Sequence, residues 1–196
     1  MIDAALRLVE TEGTQALTLR AAARLAGVSQ AAPYRHFTNK EALLAAVAEE
    51  GFHALATAMR EATGHRDGAL ERMRALGVGY VGFAASRPSH FRVMFGREMA
   101  DRSAYPSLRE AAAKTFRALV QAIADCQRAG IVRSGAPEEL ALAAWASVHG
   151  ISALLVDGQL AGLQGKPPTE LARMVTRDLF LGLGTQPQKN TKRQRS

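Results

Sequence analysis

Cysteine is almost absent from this chain: Cys126 is the only one in 196 residues. An internal disulfide is therefore excluded, and the thiol reads as a small buried apolar group in a reducing compartment. Metal donors are equally thin, since His53, His65, His90, Cys126 and His149 share no ligand-like spacing. Neither a metal nor another cofactor is expected. No nucleophile elbow, phosphate-binding loop or paired HExxH histidines occur, so nothing in the sequence points to an enzyme. No long apolar run predicts a membrane helix, and the start lacks the basic segment, apolar stretch and cleavage site of a secretory leader. A cytoplasmic protein without a membrane partner is the expectation. What remains is ordinary for a folded chain, with 47% apolar and 22% charged residues and length enough for a small domain beside a larger one.

The absence with most content is local. From Gly13 through Lys40 there is no Asp or Glu, and the charges are Arg20, Arg24, Arg35 and Lys40. A field of one sign suits a phosphate backbone. The same stretch is punctuated for short helices: Thr18 is placed to cap one and Ser29 the next, with Gly27 between them to supply a left-handed residue. Leu19, Ala22, Ala23, Leu25, Ala26 and Val28 are expected to hold the two helices at a steep angle. A third helix is predicted from Thr38, whose spacing to Glu41 is that of a capping box, with Lys40 at its amino end. Together these make a helix-turn-helix.

Its second helix, opened by Ser29, is the predicted reading helix. Gln30, Ala31, Ala32 and Tyr34 are expected to face base edges, Gln30 pairing with adenine and the alanine methyls touching thymine methyls. Tyr34, His36, Thr38 and Lys40 are predicted phosphate contacts, and Thr18, Arg20 and Ser29 complete the predicted DNA-binding set. Pro33 falls at the edge of the first turn, where one lost backbone bond is expected to be tolerated.

IDAALRLVETEG followed by TLRAAARLAGVSQAAPYRHFTNKEALLAAV resembles the amino-terminal domain of the TetR family of transcriptional regulators, most strongly in YRHF and NKEAL. Further on, AWASVHG, with Trp145, His149 and Gly150, resembles the WHG pattern of the carboxy-terminal domain in one branch of that family. The resemblance implies an all-α protein, with an amino-terminal helix-turn-helix three-helix domain followed by a larger helical effector-binding and dimerisation domain. It also implies a homodimer on a double-stranded DNA operator and an unidentified small-molecule effector. Members of the family carry a few basic residues ahead of the first helix. Here the helical pattern is under way at Ile2, so no contact from such an arm is expected.

Residues 1–46 are expected to form the DNA-binding domain and 47–184 the effector-binding and dimerisation domain. Residues 185–196 read as a disordered basic tail, whose Lys189, Lys192, Arg193 and Arg195 supply much of the net charge of +7. Helical periodicity and breakers predict helices over 38–63, 69–86, a short stretch through Phe91, Met94 and Phe95, then 108–129, 137–161 and 169–183. Gly77, Gly79 and Gly82 weaken the second of these. The helix opened by Pro137 is apolar nearly all round, and with the last helix it is expected to build the homodimer interface. Ala141, Ala144, Ser147 and Ala153 would permit close approach there. Tyr80, Phe83, Phe91, Phe95, Phe116, Trp145 and His149 are the candidate effector contacts, Trp145 and His149 lying one helical turn apart. The sequence thus predicts a ligand-responsive repressor. An activator of the same architecture fits the same residues, and a helical small-molecule-binding protein or enzyme with an incidental hairpin is the reading from another class.

Overall fold

The computed structural model describes residues 1–64, 66–99, 101–160 and 165–183, and over them the chain is built from helices. The expected basic tail lies outside the described residues. Helices α1 (Ile2–Glu12) and α2 (Leu19–Leu25), a 3-10 turn (Ala32–Arg35) and the start of α3 (Lys40–Thr63) form an amino-terminal head. The body is the rest of α3 with α4 (Ala69–Ser86), α5 (Pro88–Phe95), α6 (Pro106–Arg128), α7 (Pro137–Val156) and α8 (Pro168–Leu183).

Local chemistry sets the head. The Thr18 hydroxyl accepts from the Ala21 N–H at 3.0 Å and caps α2. Gly27, at φ +68°, ends that helix: its N–H bonds the Arg24 carbonyl while the Val28 N–H bonds that of Ala23, so two terminal carbonyls are satisfied. Leu19, Ala22 and Ala23 face the core, but Leu25 and Val28 are 46% and 42% exposed and do not pack the crossing as expected. On a 3.6-residue period Leu25 lies well off the face shared by Leu19, Ala22, Ala23 and Ala26.

Beyond Gly27 the expected reading α-helix is absent. The Ala32 N–H bonds the Ser29 carbonyl and the Tyr34 N–H that of Ala31, both three residues back, and the helical turn is confined to Ala32–Arg35. Pro33 is the cause, because it has no N–H to offer the Ser29 carbonyl and disfavours α geometry at Ala32. No side-chain cap opens this turn, so Ser29 contributes its carbonyl instead of its hydroxyl. The capping box at Thr38 and Glu41 is also replaced. Asn39, in extended backbone, caps α3 by accepting from the Ala42 N–H at 2.8 Å.

From there α3 crosses the expected boundary at residues 46 and 47 without a break. One apolar cluster runs through both parts, from Ala5 and Leu8 through Leu43 and Leu44 to Phe52, Tyr80 and Val148. α4 is the central body helix, packed against α3, α6, α7 and α8. Its glycines explain the close spacing. A Cβ at Gly79 would stand 2.9 Å from the Ala58 carbonyl oxygen and the Met59 Cα, and one at Gly77 would meet Thr176 Cγ2 at 2.5 Å. A second cluster joins Met73, Ile123, Val132 and Leu140 around Cys126, whose thiol is pushed up from its ordinary pKa by burial.

α3 and α7 are each long and apolar enough to cross a membrane by length and composition. Half of the apolar window of α3 is buried inside the protein, whereas only 28% of that of α7 is. α7 stops at Val156, short of residue 161, because Gly158 at φ +68° supplies a left-handed end.

Candidate nucleic-acid interface and ligand cavity

Pro33 is buried and pins the inner side of the 3-10 turn, leaving Gln30, Ala31, Tyr34, Arg35 and His36 on the outside. Ala32 is half-buried, and Ser29 and Thr38 are exposed beside them. Tyr34 is 53% exposed, far more than an aromatic ring with packing partners. Arg20 and Arg24 on α2 and Arg35 on the turn are exposed and carry no ion pair among the described residues. Three exposed guanidinium groups without an ion pair, all within a stretch of sequence that has no Asp or Glu, make it attractive to phosphate. Thr18 is exposed, though its hydroxyl is engaged by the cap. Lys40 is half-buried and donates from Nζ to the Thr14 carbonyl at 2.8 Å, stitching the start of α3 to the segment after α1.

Between α3, α4, α6, α7 and α8 lies a cavity of about 230 Å³. Its walls are mainly apolar: Phe52, Leu55 and Met59 come from α3, Tyr80 from α4, Phe116 from α6 and Trp145 from α7. Two arginines reach it. Arg102 is tied back by bonds to the Met94 and Met99 carbonyls, and its guanidinium lies 4.9 Å from the Phe52 ring centre. Arg74 shares one nitrogen with Glu71 at 3.0 Å and sits 5.1 Å over the Phe180 ring.

Tyr80 anchors a buried polar chain at the cavity wall. Trp145 Nε1 donates to its hydroxyl at 3.2 Å, and the hydroxyl lies 2.8 Å from His149 Nδ1. Every group is used when the tyrosine proton goes to Nδ1, which leaves a neutral imidazole with its proton on Nε2. Burial favours the same state, lowering the His149 pKa from its ordinary 6.5 and holding the tyrosine hydroxyl protonated. The His149 ring also stacks on Phe91, with centroids 5.2 Å apart.

Comparison with known proteins fits this layout. "Bacterial regulatory proteins, tetR family" matches residues 1–47, and "Tetracyclin repressor-like, C-terminal domain" matches residues 73–179, more than half of the chain. The chain belongs to the TetR family. As a TetR family member it is a DNA-binding transcriptional regulator. No curated protein matches it. Among solved structures, a protein of unknown function from Rhodococcus sp. RHA1 is 34% identical with a TM-score of 0.77, covering 94% of this chain and 93% of its own. A tetR family regulatory protein from Rhodococcus RHA1 is 21% identical with a TM-score of 0.77, covering 95% and 96%. The regulator FadR of Bacillus subtilis, solved with stearoyl-CoA, is 17% identical with a TM-score of 0.76, covering 93% and 97%.

Within this TetR family fold the expected effector contacts separate. Tyr80, Phe95, Phe116 and Trp145 line the cavity, whereas Phe83, Phe91 and His149 do not. Phe83 and Phe91 are buried in the main core, and His149 stands behind Tyr80. Arg74 and Arg102 are cavity residues that composition did not single out. Arg74 had a visible signal, since it is a charged residue set between the buried Met73 and Ala75. Among the small residues expected at a dimer surface, Ala141 and Ala144 are buried within the chain. The exposed small positions of α7 are Ala143, Ala146 and Gly150, flanked by Leu142 and Leu154.

Proposed function

We infer that this regulator is an effector-responsive repressor that binds its operator as a homodimer. The observation that carries this reading is the course of α3: Leu43 and Leu44 near its start belong to the core shared with the head, while Phe52, Leu55 and Met59 further along line the cavity. A molecule entering the cavity presses on the same rigid rod that sets the angle of the head. α5 offers a parallel route, because it packs on α1 and supplies Phe95 to the cavity.

Residues 1–46 act as the DNA-binding part and 47–184 as the effector and dimer part. Gln30 and the neighbouring alanines read bases. Arg20, Tyr34 and His36 hold the backbone, with Thr18, Ser29 and Thr38 beside them, and Lys40 supports that surface through Thr14. The exposed Leu25 and Val28 are further apolar groups able to meet thymine methyls. The dimer is supported by large leucines left in solvent on adjacent helices, Leu142 and Leu154 on α7 and Leu181 on α8, at 53%, 41% and 70% exposure. Function of this kind needs no catalytic step and no cofactor, and it places the protein in the cytoplasm with its operator.

Selection of bound sequences from a random DNA pool, repeated with candidate compounds present, tests the reading. Enrichment of a two-fold symmetric site that is released by a cavity ligand is the expected result. Salt-insensitive binding without sequence enrichment would overturn it.

A further inference from the structure

The apolar cavity has a neighbour. A cleft of about 340 Å³ lies against α4 and α8, and it shares Arg74 and Thr176 with the cavity. Its other charged residues are Arg66, Arg173, Arg177 and Glu71, so four guanidinium groups face one carboxylate. Arg177 is paired with Asp178 at 2.8 Å and Arg74 with Glu71, whereas Arg173 has no side-chain bond among the described residues. At the junction, Arg74 Nε is buried and lacks any hydrogen-bond partner, the one such side-chain atom among the described residues. Buried donors are nearly always satisfied, so an orphan on the wall between two voids calls for an acceptor from outside the chain.

We propose that the effector is an amphiphile with a phosphorylated head. Its apolar body fills the cavity between Phe52, Tyr80, Phe116 and Trp145, its first anionic group binds Arg74, and its head extends toward Arg173 and Arg177. Cavity size bounds the body. A void of roughly 150 Å³ takes up benzene, so about 230 Å³ suits a medium-length chain or a small ring system. The guanidinium planes supply paired, fixed-geometry donors for phosphate oxygens, and Phe180 under Arg74 holds its plane in place. This assignment rests on the cavity being the effector site.

Trp145 is the only tryptophan of the chain and lines the cavity, so its fluorescence reports occupancy there. Octyl phosphate, octanoate and octanol carry the same apolar body with different heads, and inorganic phosphate carries the head alone. In titrations below micelle formation, octyl phosphate is expected to bind tightest, octanoate next and octanol about tenfold or more below octyl phosphate, with no response to inorganic phosphate over the same range. Arg74→Gln should remove the advantage of both anions and leave octanol unchanged. The double variant R173Q/R177Q, at exposed positions that leave folding intact, should remove only the advantage of phosphate over carboxylate. Octanol binding as tightly as octyl phosphate, or anion binding indifferent to both variants, would overturn the proposal. Operator binding measured in the same samples separates the two readings. Octyl phosphate that binds without releasing DNA removes the repressor reading, and release by an uncharged compound alone removes the head-group assignment.

Discussion

At the scale of single residues, the chain from Trp145 through Tyr80 to His149 is the most constrained polar feature of the body. Tyr80→Phe keeps the ring but strands the indole N–H and the imidazole Nδ1, so a loss of about 1–3 kcal/mol in denaturant unfolding is expected. The imidazole also gives the protein a pH dependence whose sign is fixed. Burial lowers the folded pKa of His149, and of His90 despite its Glu50 partner at 3.4 Å, below the ordinary 6.5. As pH falls below that value the unfolded chain takes up protons first, so stability present at neutral pH is lost on acidification. His149→Asn retains an acceptor for the Tyr80 hydroxyl and cannot titrate. Its melting temperature should fall less than that of the parent between about pH 7 and about pH 5. An equal fall would show that the ring ionises freely in the folded protein.

On the head, residue-scale roles divide differently. Gln30→Ala removes the group proposed to read bases and should change which sequences are enriched while altering nonspecific affinity little. Arg24→Ala removes an unpaired exposed charge and should weaken all sequences alike and lower the salt slope by about one. Matching, sequence-blind losses from both would contradict base reading by the turn. Lys40 is unsuited to such a test, because its bond to Thr14 makes any substitution a change in the head's own structure.

At the scale of elements, α4 separates two effects of glycine. Gly79→Ala gains helix propensity but drives a methyl into the α3 backbone at 2.9 Å, and overpacking of this kind costs about 1–3 kcal/mol. At Gly82 an added Cβ meets nothing within 4 Å, so Gly82→Ala should stabilise by up to about 1 kcal/mol. Denaturant midpoints moving in opposite directions are the expected outcome, and a shift of the same sign would refute the close contact. This pair also shows what the sequence made legible. Breakers and caps are local, so Thr18, Gly27, Pro88, Gly130 and Pro137 marked helix ends close to where they occur. The glycines of α4 looked like weaknesses because their use depends on α3 and α8, which no local pattern reveals. Pro33 is legible in the sequence, but its effect exceeds one lost bond: the missing N–H, placed where the second turn would have to close, changes an α-helix into a 3-10 turn. Asn39 displaced Thr38 because both can cap and only the backbone decides which is extended. Aromatic residues signalled a cavity in the body, but Phe83, Phe91 and His149 share its periodicity while pointing into core.

At the scale of the whole molecule, the question is what covers α7. Apolar on nearly every side, it satisfies one face against α4, α6 and α8 and leaves another in solvent. That outer face alternates bulk and gaps: Leu142 and Leu154 project from it, while Ala143, Ala146 and Gly150 lie between them and a Cβ at Gly150 would meet nothing. In the homodimer proposed above, a second copy related by a two-fold axis would set its own leucines into these gaps, and the exposed Leu181 of α8 would extend the patch. The double variant L142E/L154E introduces like charges across such an axis without touching the monomer core. Sedimentation is therefore expected to show a dimer for the parent and a monomer for the variant, with circular dichroism unchanged. Operator affinity should drop by about tenfold or more, because two tethered heads become independent and the local concentration of the second is lost. A variant that stays dimeric would place the interface elsewhere. One that becomes monomeric yet keeps full affinity would show that a single head suffices, and that paired reading has no part in recognition.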